Sequence, residues 1–75
     1  MSRYDELFHA GKKNLDNENY EDALSFFDQA LELEPNNPDI WNMKGVALRS
    51  LGRYDEASEC YNRSLELDPR DKESS

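Results

Sequence analysis

Apolar residues recur every three or four positions along most of the chain, which is the spacing of one face of an α-helix. The first such stretch contains Tyr4, Leu7, Phe8, Gly11 and Leu15. No stretch alternates between apolar and polar residues over the length of a strand. The pattern therefore predicts an all-α fold. Its four helices are expected near 3–17, 20–33, 38–51 and 54–67.

Capping and helix-breaking residues mark the ends of these helices. Asn37-Pro38 is typical of a helix start, because Asn caps free backbone N–H groups and proline at the first helical position loses no hydrogen bond. Gly52 is expected to adopt the left-handed conformation that ends a helix. In the corresponding turn, Asn17-Glu18-Asn19, we expect an asparagine to adopt it. Pro35 and Pro69 require the second and fourth helices to end before them.

The sequence repeats itself after 34 residues, since Leu31-Glu32-Leu33 returns as Leu65-Glu66-Leu67 and Pro35 returns as Pro69. A period of this size is typical of stacked helical units, which cannot bury their apolar faces alone. We therefore expect a single domain. It should contain one repeat at about 4–37, a second at about 38–71 and a polar tail at 72–75.

Small and aromatic residues occupy matching positions in the two repeats. We expect paired helices to approach closely at the small residues, which are Gly11, Gly45, Ala23 and Ala57. The aromatic residues expected to fill the surrounding space are Tyr20, Phe27, Tyr54 and Tyr61.

This pattern strongly resembles the tetratricopeptide repeat (TPR) family. The second repeat carries the resemblance in Trp41, Gly45, Leu48, Tyr54, Ala57, Tyr61, Leu65 and Pro69. The first repeat carries an equally phased copy in Leu7, Gly11, Tyr20, Ala23, Phe27, Ala30 and Pro35. The resemblance implies two stacked antiparallel helix-turn-helix hairpins that form a short right-handed α-solenoid.

Three polar residues depart from the family pattern. Lys44 stands where the family usually has an interface leucine, Asn14 where it has a large apolar residue, and Ser64 where it has a small alanine. We expect these residues to loosen the packing. Lys44 can still lay its aliphatic stem along the interface while its charge stays in water.

The resemblance also implies a binding surface, because TPR arrays hold a peptide or helix of another protein in a concave groove lined by the first helix of each hairpin. The groove positions carried over to this sequence are Asp5, Phe8, Lys12, Leu15 and Asp16 in the first repeat, and Asp39, Asn42, Val46, Arg49 and Ser50 in the second. Its apolar contacts would be Phe8, Leu15 and Val46, while Lys12 and Arg49 could pair with carboxylates. The alternative is a solvated helix face that needs no ligand.

One TPR specialisation, the clamp for the C-terminal carboxylate of heat-shock chaperones, is not matched. It needs Lys and Asn on the first helix and Asn on the third, where this sequence has Phe8, Lys12 and Met43. Its remaining Lys and Arg come from a third repeat, which this sequence does not contain.

Charge and cysteine content narrow the classes of partner. The net charge is −8, from 17 acidic and 9 basic residues, so we expect no nucleic-acid partner and no anionic membrane surface. Cys60 is the only cysteine, which excludes an internal disulfide and fits a reducing compartment. No apolar run approaches the ~20 residues of a membrane span. We expect a cytoplasmic protein.

The residues with catalytic potential are few. His9 is the only histidine and has no second soft ligand at metal spacing, so a surface histidine is expected. Cys60 falls on the packing side of its helix and is expected to be a small core residue. We therefore expect no enzyme activity, metal or cofactor.

Two functions remain open. The first is a module that binds a peptide or helix of a partner protein in the groove. The second is a structural unit, either a piece of a longer TPR array or a weak homodimer formed through the end helices. For the latter, the residues expected to stay partly uncovered at the last hairpin are Leu48, Leu51, Tyr54, Tyr61 and Leu65.

Overall fold

The computed structural model describes residues 3–68 and shows four helices with no strand among them. The helices are α1 (Arg3–Asp16), α2 (Tyr20–Leu33), α3 (Pro38–Ser50) and α4 (Tyr54–Leu67). All four begin where the sequence predicts, and α1 and α3 each end one residue earlier. The predicted all-α fold is confirmed. The predicted polar tail at 72–75 lies outside the described residues.

The helices pack in the order in which they follow one another. α1 packs against α2, α2 against α3 and α3 against α4, while α1 and α3 also touch each other. The result is two stacked helical hairpins, as in a TPR-like solenoid. None of the helices in residues 3–68 combines the length and the apolar character needed to cross a membrane.

The largest group of buried side chains lies where the first hairpin meets α3. Its buried members are Ala23, Phe27, Ala30, Leu31, Ile40 and Ala47. A smaller group between α3 and α4 contains Leu48, Ala57 and Cys60. Leu24 and Trp41 pack against both groups and so connect the two hairpins.

Both helical glycines permit close contact with an aromatic ring, as predicted. A Cβ atom on Gly11 would lie 2.6 Å from Cε1 of Phe27, and one on Gly45 would lie 2.8 Å from Cε1 of Tyr61. Both distances are shorter than van der Waals contact allows. Each ring therefore occupies the space that a side chain at the glycine would need.

The two hairpin turns share one backbone hydrogen-bond pattern. Asn19 N–H donates to the Asn14 carbonyl at 2.8 Å, and Arg53 N–H donates to the Leu48 carbonyl at 2.9 Å. In the second turn Gly52 has a φ of 83°, as predicted. In the first turn the left-handed residue is Glu18, with a φ of 64°, so the expectation of an asparagine there is wrong. In both turns the left-handed residue comes directly before the residue whose backbone N–H donates this hydrogen bond, and it does so whether its side chain is that of Glu18 or Gly52.

The start of α3 has the predicted cap. The Asn37 side-chain oxygen accepts a hydrogen bond from the Asp39 backbone N–H at 3.0 Å, and Pro38 occupies the first helical position. The Trp41 indole N–H donates to the Pro35 carbonyl at 2.8 Å. The connection between the hairpins is therefore held by two side chains at its α3 end, those of Asn37 and Trp41.

Two predictions about the last hairpin need correction. Tyr54 is 65% exposed. The prediction that it fills space between the helices is therefore wrong, whereas the prediction that it stays partly uncovered at the end of the last hairpin is confirmed. Leu48 is only 2% exposed, so its predicted exposure is wrong. Leu48 is covered because it packs with Ala57 and Cys60 inside its own hairpin.

The three polar departures from the family pattern each have a polar partner. Lys44 Nζ lies 2.6 Å from the Asp28 carboxylate and 5.5 Å from the centre of the Trp41 ring. Asn14 Nδ2 donates to the Ala10 carbonyl at 2.8 Å. The Ser64 hydroxyl, on α4, donates to the Pro38 carbonyl at 2.9 Å.

Candidate interaction surface

The ten predicted groove residues all lie on α1 and α3, the first helices of the two hairpins, which contact each other. The half-buried ones are Asp5, Phe8, Leu15 and Val46. The exposed ones are Lys12, Asp16, Asp39, Asn42, Arg49 and Ser50. The surface formed by these ten residues is called the α1–α3 groove below.

The apolar part of the α1–α3 groove is attached to the core beneath it. The Phe8 ring packs against the buried Phe27 ring, with centroids 5.9 Å apart and planes tilted by 56°. Leu15 also packs against the same core group. These side chains therefore offer a fixed apolar surface, part of which a ligand would cover.

Two cations of the α1–α3 groove have no carboxylate partner among residues 3–68. Lys12 Nζ lies 5.4 Å from the centre of the Phe8 ring, in the range of a cation–π contact, and Arg49 is exposed in the last turn of α3. Of the five cations outside the groove in residues 3–68, Lys44, Arg53 and Arg63 pair with Asp28, Glu56 and Glu66, whereas Arg3 and Lys13 have no ion pair. The groove therefore keeps two cations available to an anionic group.

The carboxylates of the groove include two near the starts of its helices. Asp5 and Asp39 lie in the first turns of α1 and α3, where the helix dipole favours negative charge. The charge of Asp5 raises the pKa of the adjacent Tyr4 hydroxyl above its usual value, with burial contributing less. Each of these two helices thus has a groove aspartate in its first turn and a groove cation, Lys12 or Arg49, nearer its C-terminal end.

The two concavities described in the structure lie away from the α1–α3 groove. One has a volume of about 290 Å³ and is lined by Glu18, Asn19, Tyr20, Glu21, Asp22 and Leu51. The other has about 180 Å³ and is lined by Trp41, Lys44, Leu48, Glu56, Glu59 and Cys60. None of the ten groove residues lines either one.

Sequence reasoning did not anticipate the concavity beside Lys44. The available signal was Lys44 itself, a charged residue at an interface position. In the structure its ammonium group joins α3 to α2 through Asp28.

The residues considered for catalysis have ordinary structural environments. Cys60 is buried, as predicted, and burial raises the pKa of its thiol, with nearby Lys44 opposing that shift less strongly. A thiol with a raised pKa is a poor nucleophile at neutral pH. His9 is exposed. Within residues 3–68, no three side chains of the His, Cys, Asp and Glu types gather in a way that could hold a metal ion.

Comparison with known proteins places the chain in a repeat family. The family model described as tetratricopeptide repeat matches residues 14–74. The chain is 50% identical over 48 residues to the uncharacterized protein MJ0572 of Methanocaldococcus jannaschii, covering 64% of this chain and 56% of that protein. It is 52% identical over 67 residues to the TPR repeat-containing protein MJ1345 of the same organism, covering 89% of this chain and 20% of that protein. The chain thus spans less than two thirds of either relative.

Proposed function

Because the chain belongs to the tetratricopeptide repeat family, we propose that it binds a peptide or helix of a partner protein in the α1–α3 groove. TPR folds are generally protein-interaction modules without enzymatic activity. The proposal extends this general role to one surface of this chain.

The observation that carries the proposal is the combination of unpaired cations with an anchored aromatic ring. Lys12 and Arg49 lack carboxylate partners among the described residues, while Phe8 is held against Phe27. A protein segment that carries a carboxylate next to an apolar side chain would satisfy both features, and Arg49 could bind the carboxylate with two hydrogen bonds. The net charge of −8 disfavours nucleic acid and anionic membranes as alternatives.

The test is a peptide selection followed by affinity measurement. Peptides selected from a random display library on the wild-type protein are titrated by fluorescence polarisation against Arg49→Glu and Phe8→Ala. We expect Arg49→Glu to lower the affinity by about tenfold or more, since hydrogen bonds between charged groups contribute roughly 1.5–3 kcal/mol. Circular dichroism checks that both variants remain helical.

Arg63→Glu provides the matched control, because it makes the same charge change on α4, outside the groove. It should leave the affinity close to that of the wild type. If both folded groove variants bind as tightly as the wild type, the peptide site lies on another surface and the proposal is wrong.

A second candidate function is supported by the exposed end of the last hairpin. Tyr54 is 65% exposed, and the chain matches only 20% of the longer relative MJ1345. Both observations fit a structural unit that belongs to a longer array or forms a weak homodimer through its end helices. Sedimentation equilibrium at low and high salt tests the homodimer, which salt should promote by screening the charge of −8. A strict monomer under both conditions excludes it.

The cytoplasmic location expected from the sequence remains a proposal. It is supported by Cys60, the only cysteine, which is buried as a free thiol. Fractionation of source cells with an antibody to the chain would test it.

A further inference from the structure

The two helices of the α1–α3 groove run in the same direction. Tyr4, in the first turn of α1, lies near the Asn37 side chain that caps the start of α3. At the opposite end of the molecule, Glu18 and Leu51, which follow the ends of α1 and α3, line one concavity. Both helix starts therefore lie at one end of the groove, and both helix ends lie at the other.

The shared direction gives the two ends of the groove opposite charges. The first halves of α1 and α3 hold three carboxylates and one cation, which are Asp5, Glu6 and Asp39, and Arg3. The second halves hold three cations and one carboxylate, which are Lys12, Lys13 and Arg49, and Asp16. Lys44, in the middle of α3, is already paired with Asp28 of α2. We call these the acidic end and the basic end of the groove.

The helix dipoles reduce this charge difference without removing it. Each dipole places about half a charge of the opposite sign at its ends. For two parallel helices, that is half of the net side-chain charge at either end of the groove. The side chains therefore still decide the sign that a ligand meets at each end.

We propose that the α1–α3 groove holds a partner segment in one orientation, with a cation of the segment at the acidic end and a carboxylate at the basic end. The inference rests on the function proposed above and adds the chemistry of the ligand to it. The order of charges sets the orientation, whichever way the peptide chain of the segment runs. An apolar side chain between the two charges would contact Phe8, which packs on the core.

The helices also set the spacing of the charges on the ligand. Asp5 and Lys12 are seven residues apart on α1, and Asp39 and Arg49 are ten residues apart on α3. At a rise of about 1.5 Å per residue, these pairs span ~10 Å and ~15 Å along the groove. An extended peptide covers this distance in about three to five residues. The segment should therefore carry its cation and its carboxylate about four residues apart.

The experiment uses two blocked peptides of opposite sequence, acetyl-Lys-Ala-Phe-Ala-Glu-Cys-amide and acetyl-Cys-Glu-Ala-Phe-Ala-Lys-amide, with a nitroxide on the cysteine. Peptides this short form no stable helix in water. Each is titrated into the ¹⁵N-labelled protein, and the amide signals are followed by NMR. Both labels should broaden Arg49 and Ser50 more than Asp39 and Ile40. If the chain direction set the orientation, the label would change ends between the two peptides.

The decisive variant is Lys12→Glu/Arg49→Glu, which removes the two groove cations from the basic end. The label should then broaden both ends to a similar extent. Arg53→Glu/Arg63→Glu is the matched control, because it changes the net charge equally at two cations outside the groove. It should keep the preference of the wild type. Circular dichroism checks that both variants remain helical.

The outcomes separate this inference from the proposed function. The inference alone is overturned if the label follows the chain direction, or if it broadens both ends of the wild-type groove equally. It is also overturned if the peptides shift only the concavity lined by Glu18, Glu21 and Asp22, whose carboxylates could capture the lysine. If neither these peptides nor those selected from the library shift α1 and α3, the proposed function fails as well.

Discussion

The two hairpins share one 34-residue pattern, but their second helices differ in burial: α2 has four buried residues and α4 has two. Phe27 is buried, while its counterpart Tyr61 is partly exposed. The small residue Ala30 is buried, while its counterpart Ser64 is partly exposed and donates a hydrogen bond to the Pro38 carbonyl. The residues on both sides of this comparison occupy equivalent helix positions.

The difference follows both the neighbouring helix and the side chains of the helix itself. α3 covers the first hairpin, so α2 contributes its apolar residues to the largest core group. No described helix covers α4 in the same way, and its substitutions are more polar. In repeat proteins, stability is approximately the sum of the intrinsic terms of the repeats and the terms of their interfaces. Equivalent substitutions in the two hairpins should therefore have unequal effects.

The largest expected difference in stability between equivalent substitutions concerns the two helical glycines. Gly11→Ala places a methyl group against the buried Phe27 ring, which cannot move aside, whereas Gly45→Ala meets the partly exposed Tyr61 ring, which can. Overpacking a core costs ~1–3 kcal/mol, and alanine returns about 1 kcal/mol through its helix propensity. We expect Gly11→Ala to lower the free energy of unfolding by up to about 2 kcal/mol and Gly45→Ala to be nearly neutral.

Urea denaturation followed by circular dichroism measures both values. The double variant Gly11→Ala/Phe27→Leu serves as the control, because the smaller side chain makes room and should lose less stability than the sum of the two single variants. Equal losses at Gly11 and Gly45 would mean that the two hairpins are equally rigid, contrary to the comparison.

The second comparison concerns the left-handed residues of the two hairpin turns, where we expect substitutions to change stability in opposite directions. Glu18→Gly removes the strain of a left-handed glutamate and should stabilise the protein by about 0.5–1 kcal/mol. Gly52→Ala introduces that strain and should destabilise it by ~1 kcal/mol, because its Cβ meets no atom within 4 Å and only the backbone conformation matters. Thermal unfolding of both variants tests this. Asn17→Gly, at a residue without a positive φ, should bring no gain; a gain there as large as that of Glu18→Gly would refute the strain explanation.

The smallest expected effect concerns an ion pair that only the second hairpin has. Arg53 binds Glu56 through two hydrogen bonds of 2.6 and 2.9 Å, whereas the equivalent residues of the first hairpin are Asn19 and Asp22. The hydrogen bond from Arg53 holds the pKa of Glu56 below its usual value of 4.5. The pair therefore contributes stability above about pH 4.5 and loses it as the pH falls through the lower folded pKa.

The NMR titration of the Glu56 carboxyl measures this pKa directly. Arg53→Gln should return the pKa towards its usual value and remove the corresponding part of the acid dependence of the melting temperature. An unchanged Glu56 pKa in that variant would show that the pair is broken in solution.

Most of the fold could be predicted from the sequence, because helix period and turn residues are local signals. Asn37, Gly52 and Pro35 locate helix ends correctly. The left-handed Glu18 was not predicted, because the choice between neighbouring residues in that turn depends on which backbone groups close the hydrogen bond. Leu48 was misjudged because its burial depends on α4, a contact between helices that its own position does not reveal.

The α1–α3 groove could be predicted only as a set of positions on two helices. The sequence gives no distances, so it could not show that Lys12 lies over Phe8 while Lys44 is held by Asp28. Both are lysines of first helices, and only the packed structure separates the one available to a ligand from the one already paired. The ten groove positions remain a prediction until a ligand is measured.

The sequential packing of the helices has a kinetic consequence. Each helix finds its main partner immediately before or after it in the chain, and the only other contact joins α1 to α3 within the described residues. Folding therefore requires only short loops to close. Proteins rich in such local contacts typically fold within microseconds to milliseconds. Either hairpin can form first and serve as the surface on which the other assembles. A destabilising substitution in one hairpin therefore still allows folding to start in the other.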